Sequence, residues 1–498
     1  MDQLCESEKQ DLEIVVAHFW SGFRPEILPQ PVGDMGRRGS SRRLTLILVN
    51  LAAVLERADE ALLPAVYDQV GKAFGVTPAA LGTLTFIRSI VQAGASPLAA
   101  YLAIKHDRII IIASGALAWG VATALVGVCT AYWQVAIVKA FNGIGLAMVV
   151  PAIQSLVADL HKENERGLGF GWLHGAGQVG TLFGGVFATL LAARTIGVLA
   201  GWRFAFFLVA IVSLVLAAAI YVFAEDSKPP PPVDLVSTEP LVQQDGKTLT
   251  QTDLREGSQL KQLWKGTKKV LKVPTFQVIL GQGIAGQIPW QAMSFTTLWL
   301  ELLGFGHTRA AFLVALLAVG NMLGSVFGGW LGDLAAKHFP NAGRIMCSQF
   351  STFVGVPLSA ILLLGLPQSV SFAWAYGLVF FFMGFLMSWN SPATNWPIFA
   401  EIVPTELHTT VYAIDQAIEK SLAAAGAPLV GLLAQIFFDY KTGKGAFTPD
   451  LHNAKALGRG LFVLIACPFI TCFLVINLLY CTYPKDRDRV KEADPSAE

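Results

Sequence analysis

Charge is scarce in this 498-residue chain: Asp, Glu, Lys and Arg together make up 14% of it, against about 25% in a soluble globular protein. That shortage excludes a water-exposed domain over most of the length. The net charge of +1 leaves no basic surplus for a nucleic-acid partner. Cysteine is sparse as well. Cys5, Cys129, Cys347, Cys467, Cys472 and Cys481 lie mostly in or beside apolar runs and form neither a disulfide framework nor a set with zinc-ligand spacing. Small buried apolar side chains are the expectation for them. There is no Gly-x-x-x-x-Gly-Lys-Ser/Thr loop, so ATP is not expected as the driving force. A His-rich metal set and a nucleophile motif in a long loop are also missing, so no metal, no cofactor and no enzymatic activity are expected. The short apolar piece at 14–17 is flanked by Asp11 and Glu13, unlike a secretory signal or an Arg-rich transit peptide.

Apolar runs are what the chain has in abundance, at 54% hydrophobic residues. Runs of about 20 residues, the length that crosses a bilayer, recur near 44–67, 80–103, 109–129, 133–157, 168–193 and 202–224, and again near 275–300, 309–334, 344–366, 372–397, 409–437 and 459–482. The spacing predicts an all-α polytopic membrane protein of twelve spans in two six-helix bundles, 44–224 and 273–483. A tail (1–43) precedes them and another (484–498) follows, with a linker at 225–272 between. That linker begins with a Lys-Pro-Pro-Pro-Pro run and ends in a basic stretch from Lys261 to Lys272 suited to a membrane surface. Basic residues fix the expected orientation. Arg37, Arg38, Arg42 and Arg43 precede the first span, Lys105 and Arg108 follow the second, and Lys162 and Arg166 the fourth. Lys337 and Arg344 follow the eighth, and Lys485, Arg487, Arg489 and Lys491 the last. The loop with Lys441, Lys444, Lys455 and Arg459 is the exception; the balance puts both termini and the linker in the cytosol.

The halves repeat. Phe74-Gly-Val-Thr77 is matched by Phe305-Gly-His-Thr308, and the Pro97–Leu102 segment by Phe327–Leu331, both at an offset of about 230 residues, which implies two related bundles. Within the first span, Glu56, Asp59 and Glu60 share a helix face, with Arg57 beside them. A charge near the bilayer centre costs on the order of 3 kcal/mol or more, so that face must look into a polar pathway or an internal ion-pair knot. Glu56, Asp59 and Glu60 are the candidates for proton coupling.

The loop after span eight reads Gly329-Trp-Leu-Gly-Asp333-Leu-Ala-Ala-Lys337, with Arg344 beyond. It resembles the gate motif of the major facilitator superfamily, and the resemblance extends over nearly all of 44–482. Its first-half counterpart is degenerate, with Ala100 where glycine is usual and Ile104 where Asp is usual; a charge latch there should be weaker or built differently. Span four, Lys139-Ala-Phe-Asn142-Gly-Ile-Gly145, resembles the superfamily's Arg-x-x-x-Gly-x-Gly pattern with Lys in the Arg position. Span five, from His174 through Gly185, resembles a glycine-rich antiporter motif, its glycines serving close helix packing. More narrowly, Asn50 through Arg57 and Phe141 through Asp159 are similar to Spinster-like transporters, closest to their plant and algal orphan branch. That group generally carries lysolipids or sphingoid phosphates in proton-linked fashion. Lys139 for Arg, and Leu146 where an acid usually follows the glycines, are departures that leave the lipid substrate unassigned.

The fold and motifs together imply a secondary active transporter, with a non-transporting receptor or scaffold on the same fold as the alternative. The expected cargo is a small-molecule or lipid-like solute, anionic or amphipathic, with the proton as coupling ion and the lipid bilayer as surroundings, at the plasma membrane or a vacuolar or lysosomal endomembrane. A monomer is expected. Substrate contacts are expected from Arg57, Arg88, Lys139, Asn142, Gln178, Gln287, Trp290 and Asn390, all polar or amphipathic groups on spans that line such a cavity. Gating is expected from Asp333, Lys337 and Arg344, from Asp107 and Arg108 in the first half, and from Asp415 and Glu419 on span eleven.

Overall fold

The computed structural model describes residues 35–76, 78–104, 106–192, 195–196, 199–226, 263–423, 433–434, 436–439 and 450–493. The tail before residue 35, Lys105, most of the linker, and the loop bearing Lys441 and Lys444 lie outside the described residues. Residues 44–498 form one compact unit, and residues 1–43 are assigned to another.

The first half contains α1 (Met35–Ala65), the short amphipathic α2 (Tyr67–Phe74), α3 (Pro78–Leu102), α4 (Arg108–Val128), α5 (Tyr132–Leu160), α6 (Arg166–Ala192) and α7 (Gly201–Phe223). Gly75 closes α2 at φ 64°, a conformation glycine takes without steric penalty. A minimal antiparallel ladder, β1 (Thr195–Ile196) with β2 (Leu199–Ala200), precedes α7. The second half contains α8 (Pro274–Ala292), α9 (Thr296–Leu302), α10 (His307–His338), α11 (Gly343–Ala360), α12 (Ala373–Met387), α13 (Trp396–Glu401), α14 (His408–Ala423), α15 (Leu451–Ile476) and α16 (Leu479–Ala493). Six helical passages in each half among the described residues are consistent with twelve spans, and seven helices are long and apolar enough to cross a membrane by length and composition alone.

Among the described residues three predicted spans depart from a continuous α-helix: the span at 344–366 closes on a π-helical turn at Ile361–Gly365, and two others are interrupted. The span at 275–300 is α8, a 3₁₀ turn at Met293–Phe295, then α9, with Pro289 near the break. The span at 372–397 is α12, a π-helical turn at Asn390–Asn395, then α13, with Pro392 and Pro397 withholding backbone donors. Residues 484–493, read as tail, continue α16. That helix is anchored by Asp486, which accepts hydrogen bonds from the Thr275 amide (3.0 Å) and hydroxyl (2.7 Å).

The apolar cores divide unequally. One cluster draws from both halves, uniting Leu48, Trp119, Leu156 and Phe170 with Phe276, Phe399, Val411 and Tyr412. Two other large ones stay within their own half: Leu62, Val70, Trp202 and Phe206 in the first, and Trp299, Tyr376, Phe380 and Leu461 in the second. A small group of Cys347, Trp389 and Ala393 also stays within the second half. The shared core lies toward the end where α5 finishes and α6 begins; the two large separate cores lie toward the opposite end.

Candidate functional site between the two halves

The charged residues of α1 divide between two environments. Asp59 is fully buried inside the first bundle. It accepts hydrogen bonds from the Thr123 hydroxyl (2.5 Å) and the Asn142 amide (3.1 Å), and Lys139 Nζ lies 3.8 Å away. Lys139 is only 2% exposed and also sits 5.7 Å over the Phe206 ring. Lys139 and Asn142 therefore face Asp59, not the space between the bundles.

Glu56, Arg57 and Glu60 turn toward that space. Arg57 Nε lies 3.2 Å from Glu56, and Arg57 Nη1 lies 2.7 Å from Glu60 Oε2. Arg88, from α3, reaches the other oxygen of Glu60 at 2.5 Å. Glu60 thus bridges two guanidiniums. The small cross-section of α6 lets α1 come this close: a β-carbon at Gly184 would lie 2.6 Å from the Ala58 carbonyl, and one at Gly180 would collide with the Val54 carbonyl.

A cavity of about 60 Å³ lies against this cluster, lined by Glu56, Arg57, Gln154 and His174 from the first half and by Trp396 and Gln416 from the second. It has room for a few water molecules. His174 meets the Ser325 hydroxyl across the interface at 2.9 Å and packs edge-on to Trp396. Lys420, on α14, lies within electrostatic range of Glu56 and Glu60. Lys420, Gln154, Trp396 and Gln416 were missed as site residues in the sequence reading. A cation more than three turns into α14, beside Glu419, was the available signal for Lys420.

Asp415 and Glu419 face the interior of the second half. Glu419 accepts from the Gln287 amide at 3.3 Å, in space that Gly283 leaves by having no side chain. They stand two to three turns along α14 from its first residue, away from the gate. Asn390 belongs to an amide network: it donates to Gln282 (3.2 Å), Gln282 donates to Asn395 (3.0 Å), and Ser348 donates to Asn390. Gln178 and Trp290 are half-buried and make no side-chain hydrogen bond among the described residues.

One end of the interface is latched. Asp333 accepts from the amides of Gly167 (2.9 Å) and Leu168 (2.7 Å) at the start of α6, where the helix dipole favours an anion. Arg344 donates to Asp333 (3.0 Å), to Glu401 (3.1 Å) and, across the interface, to the Glu163 carbonyl (3.0 Å). Tyr483 donates to the other Glu401 oxygen at 2.5 Å. Burial, reinforced by Glu401, holds the Tyr483 phenol above its ordinary pKa, keeping it a neutral donor. In the first half Arg108 holds Asp159 (2.5 Å) and Asp226. Asp159 also meets His408 Nδ1 at 2.5 Å, and Thr409 donates to Ser155 at 2.9 Å, so this pairing too reaches across. Asp107 makes no side-chain cap, and Lys337 is exposed with no ion pair among the described residues.

The sequence profile of the Major Facilitator Superfamily matches residues 49–428. The chain belongs to the Major Facilitator Superfamily. Among solved structures, this superfamily member is similar to a bacterial homologue of the human lysosomal transporter Spinster in an inward-facing, unoccupied conformation, with 17% identity, 90% of this chain and 98% of that one covered, and a TM-score of 0.57. It is also similar to the proton:xylose symporter XylE bound to 6-bromo-6-deoxy-D-glucose, with 16% identity, 88% and 95% covered, and a TM-score of 0.59. A third is the human organic anion transporter MFSD10 (TETRAN), with 13% identity, 87% and 99% covered, and a TM-score of 0.62. At these identities the likeness is one of fold. No curated protein sequence matches the chain.

Proposed function

We propose that this superfamily member is a proton-coupled secondary transporter that moves a small anionic or amphipathic organic solute by alternating access. The observation that carries this reading is the ion-pair cluster of Glu56, Arg57, Glu60 and Arg88, with Lys420 in electrostatic range, whose members Glu56 and Arg57 line a cavity between two halves latched at one end. Two carboxylates (Glu56 and Glu60) meet the guanidiniums of Arg57 and Arg88, and Lys420 stands between Glu56 and Glu60 and the carboxyls of Asp415 and Glu419 on its own helix. The guanidiniums suit an anionic solute. Protonating Glu56 or Glu60 frees an arginine for a carboxylate or phosphate, so proton and anion favour each other's binding. Asp59 with Lys139 serves as a buried third carboxylate behind α1. Asp415 and Glu419 act on the second bundle's interior as a further carboxyl pair, while Asp333, Arg344 and Arg108 form the gate. The basic loops support a cytosolic setting for the latched end. That the similar structures include a proton symporter and an organic anion transporter is in keeping with this reading.

Thermal unfolding of the purified full chain against organic anions, amino acids, sugars, nucleosides and lysolipids, at pH 5.5 and 7.5, tests it. An anion or lysolipid that raises the midpoint more at the lower pH is expected, with the pH difference lost in Glu56→Gln. A neutral sugar or nucleoside that stabilises equally at both pH values would contradict it.

A further inference from the structure

A second cavity, of about 210 Å³, opens at the latched end, far from the charged cluster. Its apolar walls include Val270, Leu407 and Val490, and its polar groups are Lys269, Asp486 and Arg489. It sits where spanning helices end: Val273 immediately precedes α8, Pro404 lies between α13 and α14, and Arg489 is on α16, just after α15. This is the level of the membrane surface.

The charges there are unevenly committed. Asp486 is spent on Thr275 through one oxygen and on Arg489 Nη1 (3.2 Å) through the other. Arg489 is 69% exposed and keeps its remaining donors, and Lys269 has no ion pair among the described residues. The segment that leads from the linker to the cavity is basic, while Glu406, Asp488 and Glu492 are the exposed acids near its other walls. Residues 261–272 hold five lysines and no acid, and Lys265, Lys268 and Lys272 are exposed. Trp264 is 67% exposed on the same helical segment, placed as an interfacial anchor would be. Apolar walls beneath two cations, beside a tryptophan at the surface, fit an amphiphile with an anionic head; a free anion would have no use for the walls.

We propose that this cavity binds an anionic glycerophospholipid of the leaflet at the latched end, its phosphate between Lys269 and Arg489 and its glycerol and first acyl carbons on Val270, Leu407 and Val490. Juxtamembrane basic clusters recognise anionic lipid through the same electrostatics. The turn 402–407 that walls the cavity joins Glu401 to His408, both partners in the latch, so a seated lipid braces the latched arrangement.

Native mass spectrometry of the full chain in detergent tests the assignment, with phosphatidylinositol, phosphatidylcholine and water-soluble glycerophosphoinositol as probes. Phosphatidylinositol is expected to bind at least about tenfold more tightly than phosphatidylcholine, and the Lys269→Gln/Arg489→Gln protein to lose about tenfold of that affinity. Lys265→Gln/Lys272→Gln, outside the cavity on the same segment, keeps most of it, and excess glycerophosphoinositol does not displace the lipid. Equal binding of phosphatidylcholine would overturn the proposal. So would full binding by the Lys269/Arg489 variant, an equal loss in the Lys265/Lys272 variant, or displacement by the soluble headgroup. The unfolding midpoint of each variant in phosphatidylcholine, matched to the parent, shows that a loss is not one of folding.

Discussion

Asp59 and Lys139 form a buried pair 3.8 Å apart, with both side chains almost wholly excluded from solvent. Removing one partner of such a pair strands the other, at a cost of about 3–5 kcal/mol, whereas removing both is close to neutral. Lys139→Met is therefore expected to lower stability by about 3 kcal/mol, and Asp59→Asn/Lys139→Met to recover most of it in thermal unfolding; additive losses would show that the two residues do not act as a pair. The four ionisable residues of α1 were visible in the sequence because charge in an apolar run stands out. Their division was not. Helical spacing puts Glu56, Asp59 and Glu60 on one broad face, and only the neighbours decide that Asp59 meets Thr123 and Asn142 while Glu60 meets Arg88. Lys139 and Asn142 were read as cavity contacts for the same reason: periodicity shows that a polar side chain avoids lipid, and it does not show which interior it enters.

Among the elements, α6 was legible as a packing helix from its glycines, and the structure gives those glycines a specific partner in α1. Neighbouring positions on α6 should then differ sharply. Gly180→Val drives a side chain into the Val54 carbonyl and is expected to cost at least about 1–3 kcal/mol. A β-carbon at Gly185 meets nothing within 4 Å, so Gly185→Ala should fold near normally. Fluorescence size-exclusion after graded heating separates the two, and equal midpoints would refute the packing role. The breaks within α8–α9 and α12–α13 were only half legible. Pro289, Pro392 and Pro397 warn of missing donors, but the π turn at Asn390–Asn395 depends on the amide network from Gln282 and Ser348, whose partners lie 108 and 42 residues away in sequence.

At the scale of the molecule, the superfamily fold was readable from the repeat and the motifs, and the pairing of Asp333 with Arg344 from the loop after span eight. The first-half latch was anticipated only as weaker or different. Arg108 reaches Asp226, 118 residues on, and no local pattern announces a partner at that separation. The unequal division of the cores follows from the latch: where Asp333, Arg344, Asp159 and His408 tie the halves, apolar residues of both interleave, and toward the other end each half keeps its own core. Alternating access, as proposed, requires the latch to open as the opposite end draws together. Spin-label distances measure that directly, between positions 164 and 337 at the latched end and between 130 and 371 at the other, all exposed. Asp333→Asn, which weakens the tie to Gly167, Leu168 and Arg344, is predicted to lengthen the first distance and shorten the second. Both distances unchanged, or both moving in the same direction, would contradict alternating access in this protein.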